Sequence, residues 1–242
     1  MTQLHTGDRH APTFDTDERP DSARTQTWTR RPARNRVRVV TALLIVCAAG
    51  IGVAWALRGP SSELVRSIAP TTAGIWGANR LAEVLVILLG LVAVAVGWRA
   101  LRSGVHRAAL AVSAAVGVVA AYAASEGIKA VVAADRVCRD ITAVDCPAAG
   151  DWGFPSNHTV VAVAGATAIL LLERRWPPAA RWVVVALAAG AGAGRVLQGV
   201  HAPHEVVAGA VLGCVTVVVI VLLLTPVVER VGLGLSTRQH AR

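Results

Sequence analysis

Six stretches of the chain are almost continuously apolar, and none alternates with period two. They run over about 38–57, 81–98, 108–128, 157–173, 181–198 and 205–227. A helix needs roughly 17–25 such residues to cross a bilayer, and without strand alternation a barrel is excluded. The pattern therefore predicts an all-α protein: a polytopic six-helix transmembrane bundle over residues 37–228. Residues 1–36 mix Pro, Asp, Thr and Arg with no apolar periodicity, which predicts a disordered tail. Residues 229–242 form a short C-terminal tail in this reading.

Arginines orient the bundle. Arg30, Arg31, Arg34, Arg36 and Arg38 precede the first span; Arg99, Arg102 and Arg107 fill the second connection; Arg174, Arg175 and Arg181 fill the fourth. Lys and Arg accumulate on the cytoplasmic side, so both termini are expected inside a cell (plasma) membrane. The connections at 58–80, 129–156 and 199–204 then face outward. Trp55, Trp98, Trp152, Trp176 and Trp182 fall near the expected interfaces. A cleaved signal peptide competes for the first span, helped by Ala54-Trp55-Ala56, but the polar preface is too long and the apolar run exceeds a usual signal core. Arg30-Arg31 is followed by Pro32 and more arginines, not by the apolar stretch of a twin-arginine signal.

Composition agrees. The chain is 54% hydrophobic, only 4% aromatic, with a mean hydropathy of +0.54, more apolar than a soluble domain of its size. Its small apolar residues let membrane helices approach closely. A net charge of +9 would suit a nucleic-acid binder, but the arginines sit at the ends of apolar runs, as topology requires. No nucleic-acid partner is expected.

Candidate chemistry gathers on the outward connections. Lys129, the single lysine beside twenty-three arginines, stands seven residues before Arg136. A continuing helix would place both on one face, about 10 Å apart along the axis. Two readings stand for this pair: interfacial anchors, with Glu126 pairing to Lys129, or anion ligands. Pro155-Ser156-Asn157-His158 opens the fourth span. Ser156 or Asn157 suits an N-cap, and the N–H groups beyond it, with the positive dipole end, would make a phosphate cradle. Plain capping accounts for Ser and Asn but not for His158. Arg195 lies inside an apolar span, where a charge is costly. His201 follows it, Pro203 opens the last span as an early helical residue, and Glu205 falls in its first turn, within reach of an imidazole. A polar turn with incidental histidines remains the other reading of 201–204.

Three such segments on one face resemble the type 2 phosphatidic acid phosphatase superfamily, the lipid phosphate phosphatases. Its signatures are Lys-x6-Arg-Pro, Pro-Ser-Gly-His and Ser-Arg-x5-His-x3-Asp. Here they read Lys129…Arg136-Val137, Pro155-Ser156-Asn157-His158 and Gly194-Arg195…His201…Glu205, with every spacing kept. Val137, Asn157, Gly194 and Glu205 depart from the Pro, Gly, Ser and Asp of the signatures. Gly194 removes a hydroxyl, and Glu205 lengthens the reach of the group expected to orient the nucleophile.

The resemblance implies a metal-independent, cofactor-free phosphatase acting through a phosphohistidine. His201 would be the nucleophile, oriented by Glu205, and His158 the general acid and base. Lys129, Arg136 and Arg195, with Ser156 and the backbone at Asn157 and His158, would hold the phosphoryl oxygens. The substrate it implies is a lipid phosphate or diphosphate: a polyprenyl carrier first, with phosphatidylglycerophosphate or phosphatidic acid as alternatives. Three other readings compete with it. A metal site of His158, His201, His204 and Glu205 would place a divalent ion among three cations. A small transporter would use Arg195 as a substrate contact, but no inverted repeat is visible. An impaired relative would bind lipid phosphates without turnover.

Two further expectations follow. Cys138 and Cys146 lie in an outward connection, where a disulfide can persist, while Cys47 and Cys214 sit within spans as free thiols. Leu64, Val65 and Ile68, with Glu63 and Arg66 between them, predict a short helix on the outer membrane surface beside the lipid entrance.

Overall fold

The computed structural model describes residues 33–73 and 78–240. All regular structure among them is helical: α1 (Ala33–Ala56), α2 (Arg58–Thr72), α3 (Ala78–Leu101), α4 (Val105–Val132), α5 (Asn157–Leu172), α6 (Pro178–Leu197) and α7 (Pro203–His240), with one 3-10 turn at Val137–Asp140. Five helices are long and apolar enough to cross a membrane: α1, α3, α4, α6 and α7. The chain is a membrane protein. The remaining expected span, the fourth, is α5, an apolar helix of only 16 residues.

Burial explains how so short a helix is kept. Val160, Ala162, Ala164, Ala166, Ile169 and Leu172 point in every direction around α5, and all are buried. A helix apolar all round belongs at the centre of a bundle, and α3, α4, α6 and α7 all pack against α5. Small residues make the closest of these contacts. A Cβ on Gly213 of α7 would come within 2.6 Å of the Val160 carbonyl oxygen, and one on Gly209 within 2.7 Å of the Ser156 carbonyl oxygen. The α5–α7 crossing thus requires glycine, and it brings the start of α5 against the start of α7, where the candidate chemistry lies.

Helix boundaries differ from the sequence reading in three informative ways. The first helix begins at Ala33, inside the stretch expected as tail; the rest of that tail lies outside the described residues. The last helix continues to His240, because a polar end is no obstacle to a helix once Pro226 has been accommodated within it. The third difference concerns Lys129 and Arg136. Helix α4 stops at Val132, Ala133 turns left-handed (φ 46°), and Arg136 is extended. The two cations therefore do not share a helix face.

The short helix expected between the first two spans is present as α2. Its Val65 and Ala69 pack with Val137, Ile141 and Ala202, while Leu64 faces outward. Arg66 ties it to the 3-10 turn through Asp140 at 3.0 Å.

Candidate active site

The turn between α6 and α7 sets the geometry. His201 Nδ1 lies 2.7 Å from Glu205 Oε2, and both residues are almost wholly buried. The same carboxylate oxygen accepts the Ala202 N–H at 3.1 Å, so Glu205 caps the turn that carries His201 while holding its ring. On the other side of the ring, Arg136 Nη1 stands 2.8 Å from His201 Nε2. A guanidinium can only donate, so Nε2 is the acceptor and the ring proton resides on Nδ1, toward Glu205. Burial pushes the His201 imidazole well below its usual range, and the nearby charges of Arg136, Arg195 and Lys129 push it further. Neutral, with an Nε2 lone pair facing a cation, it has the form a nucleophile needs.

Arg136 is the hub of the site. Besides His201 it donates from Nη1 to the Val200 carbonyl at 3.3 Å, from Nε to the Asp151 carbonyl at 3.0 Å, and from Nη2 to Asp151 Oδ1 at 2.8 Å. Lys129, buried, stands 3.6 Å from the same Asp151 oxygen and 3.9 Å from Glu126. The two cations meet at a carboxylate supplied by a loop, not along a helix. Partial burial pushes the Asp151 carboxyl up, but Arg136 and Lys129 outweigh it and hold it below its usual range.

Arg195, at the last turn of α6, is buried and donates from Nη1 to Gln198 Oε1 at 2.7 Å. Its buried Nε has no hydrogen-bond partner among the described residues. An orphaned guanidinium donor is costly and is the natural place for a ligand oxygen. His158, in the first turn of α5, stands within electrostatic range of Arg195, Arg136 and His201.

Ser156 and Asn157 do something other than the cap expected of them. The Ser156 side chain makes no cap hydrogen bond. Its N–H donates to the Glu205 carbonyl at 3.1 Å, and its buried hydroxyl accepts from Thr159 at 3.2 Å. Asn157 accepts from Ser125 and donates to Glu126, each at 2.5 Å, pinning the start of α5 to α4. The N–H groups of the first turn of α5 still lack helical partners by their position.

Cys138 and Cys146 form a disulfide, and Cys47 and Cys214 are free. His204 has partners of its own: its Nδ1 lies 2.6 Å from Ser61 Oγ of α2, and its ring stacks on Phe154. Among the described residues no three His, Cys, Asp or Glu side chains converge as a metal-ligand set.

Several functional positions escaped sequence reasoning. Asp151 left no signal, since nothing in its spacing ties it to Lys129 or Arg136. Glu83, on α3, stands within electrostatic range of both His158 and Arg195; an acidic residue near the end of an apolar span was the available clue. Gly153 is packed so tightly that any Cβ there would collide with Glu205 Oε1.

A buried His–Glu pair facing a cluster of cations, at one end of a bundle of apolar helices, defines a class: helical membrane proteins equipped for chemistry on an anionic group. Residues 110–228 match the model of the PAP2 superfamily, a segment that holds all three motifs, and the chain belongs to that superfamily. Membership implies phosphatase activity on phosphate esters. No curated protein and no solved structure matches the chain.

Proposed function

We propose that this protein hydrolyses a lipid phosphate or diphosphate at the outer face of the membrane, through a phosphohistidine and without a metal. The observation that carries this reading is the neutral His201, held by Glu205 at 2.7 Å on Nδ1 and facing Arg136 at 2.8 Å on Nε2. In the first step the Arg136 Nη1–H turns from Nε2 to a phosphoryl oxygen, the freed Nε2 lone pair attacks phosphorus, the bond to the leaving lipid oxygen breaks, and His158 delivers a proton to that oxygen. In the second step His158 takes a proton from water as the water oxygen attacks phosphorus, and the P–N bond breaks to restore His201. Lys129, Arg136 and Arg195 neutralise the charge spread over the phosphoryl oxygens.

Two features support a lipid substrate. An apolar groove of about 530 Å³ between α1 and α7, lined by Val46, Val53, Leu57, Val207 and Val211, ends at Ser61 and His204. His204 also lines a polar cavity of about 430 Å³ beside Glu205 and Arg136, so the apolar groove ends next to charged residues of the candidate site. The orientation is supported at the opposite end, where Arg107 joins Leu172 and Glu173, close to the arginine-rich connections that belong in the cytoplasm. Both termini are then cytoplasmic and the site is extracytoplasmic. Among lipids, a polyprenyl (di)phosphate is favoured because recycling such carriers needs an outward-facing phosphatase; phosphatidylglycerophosphate and phosphatidic acid are the next candidates.

The test is phosphate release by the purified protein from a panel of these lipids with chelator present, combined with acid trapping of labelled enzyme. Turnover should persist in chelator and the label should be on histidine. His201→Ala should lower turnover by about a thousand-fold or more and abolish labelling; label retained at wild-type level would end the assignment.

A further inference from the structure

We infer that Asp151 is a built-in counter-ion of the phosphate cradle, occupying Arg136 and Lys129 in the resting protein and yielding them to the substrate phosphoryl group. This rests on the phosphatase reading and goes beyond it: no family motif includes this position.

The geometry is specific. One oxygen, Asp151 Oδ1, is 2.8 Å from Arg136 Nη2 and 3.6 Å from Lys129 Nζ. It takes the place that a phosphoryl oxygen shared by the two cations would take. The same guanidinium touches the nucleophile through Nη1 at 2.8 Å, so a phosphorus atom in line with His201 Nε2 would bring its oxygens against Arg136 and compete with the carboxylate. Without Asp151, two buried cations would face each other with only the more distant Glu126 beside Lys129. Uncompensated buried charge is costly, and the carboxylate removes that cost while the site is empty.

The backbone around Asp151 is firmly held. Arg136 Nε binds the Asp151 carbonyl at 3.0 Å, and Gly153 N–H donates to the Ala134 carbonyl at 2.8 Å. Arg139, inside the loop that the Cys138–Cys146 disulfide closes, donates to the Pro147 and Ala148 carbonyls just beyond it at 2.9 and 2.7 Å. The side chain, by contrast, is 46% exposed. A rotamer change into water frees Arg136 Nη2 and the Asp151-facing side of Lys129 Nζ with no movement of the loop, and the reverse change helps expel the product. Asp151 thus weakens the resting affinity for phosphate and speeds its release; it acts through Arg136 and Lys129 as a positioning residue.

Inhibition by inorganic phosphate and by orthovanadate measures this directly. Using the full-length protein in detergent, the inhibition constants of both anions should fall by roughly two- to five-fold in Asp151→Asn, the scale expected when one partly exposed ion pair stops competing. KM should fall with them, kcat should not rise, and Asp151→Glu should lie close to wild type. Asp151→Ser, too short to reach both cations, should move the constants in the same direction as Asn and guards against a folding defect peculiar to one variant. Constants that stay unchanged, or rise, in both Asn and Ser variants overturn the proposal, a rise meaning that Asp151 holds Arg136 in its working position. A wild-type protein that hydrolyses no phosphate ester and is bound by neither anion overturns the phosphatase reading itself.

Discussion

Glu205 stands where the motif of its family has a shorter acid, and the structure gives the longer side chain two tasks. Its Oε2 holds His201 Nδ1 and accepts the Ala202 N–H. Shortening it withdraws the carboxylate from both. Glu205→Asp is therefore expected to lower kcat by at least about ten-fold, and Glu205→Gln by about a hundred-fold or more with the fold intact, since a neutral amide no longer stabilises the proton on Nδ1. Steady-state rates on one lipid phosphate check both; an Asp variant faster than wild type would mean that Glu205 is a degraded aspartate. His158→Ala belongs at this scale too. A general acid matters most for a poor leaving group, so the loss should be roughly a hundred-fold or more for a lipid alcohol and much smaller for an activated phenol. Comparing kcat for a lipid phosphate with kcat for a nitrophenyl phosphate gives the answer. The eight candidate residues of the three motifs stand out in the sequence because chemistry of this kind needs those residue types at those spacings, and among them the structure brings His201, Glu205 and Arg136 into contact. The roles of Ser156 and Asn157 were not visible, because a side chain's partner is chosen by what packs beside it, here Thr159, Ser125 and Glu126.

At the scale of elements, the segment from Ala133 to Ser156 does the positioning with one 3-10 turn and otherwise irregular backbone. The disulfide closes Cys138 to Cys146, the 3-10 turn puts Val137 and Ile141 under α2, and Phe154 packs with Ala54 and Ala208 and stands edge-on to Trp55 at 5.1 Å. A loop of this size contributes roughly 2.5 kcal/mol when cross-linked, by chain-entropy reasoning. Reduction, or Cys146→Ser, should thus lower the thermal midpoint and raise KM for phosphate substrates, because Arg136 and Asp151 flank the tethered loop. Denaturing alkylation before and after reduction should count two additional thiols, and a count that does not change would remove the bond. Helix α2 was legible from its apolar positions, but only packing shows that Val65 and Ala69 face the 3-10 turn while Leu64 does not.

Across the whole molecule, the end that carries the candidate site is assembled by the crossing of α5 and α7. Gly213 and Gly209 face the Val160 and Ser156 carbonyls so closely that neither tolerates a side chain. Gly213→Val should force the two helices apart at a cost of about 1–3 kcal/mol or more, the range for overpacking. Since His158 rides on one helix and Glu205 on the other, activity should fall together with stability. Thermal unfolding in detergent and phosphate release measured on the same preparation check this. A stable but inactive variant would place the fault in alignment alone; an active, fully stable one would mean the crossing can relax.

Apolar run length by itself determined the helical class and the membrane setting. Those properties follow from the solvent: a bilayer demands about 20 apolar residues per crossing and satisfies backbone groups only within a helix. Only the tertiary structure decided that α5, at 16 residues, lies buried among its neighbours, that Lys129 and Arg136 meet across a loop instead of along a helix, and that Asp151 stands between them. Each of these is a contact between residues that no sequence period relates, so it exists only once close packing has fixed which backbones approach and which side chains are left to compensate one another's charge.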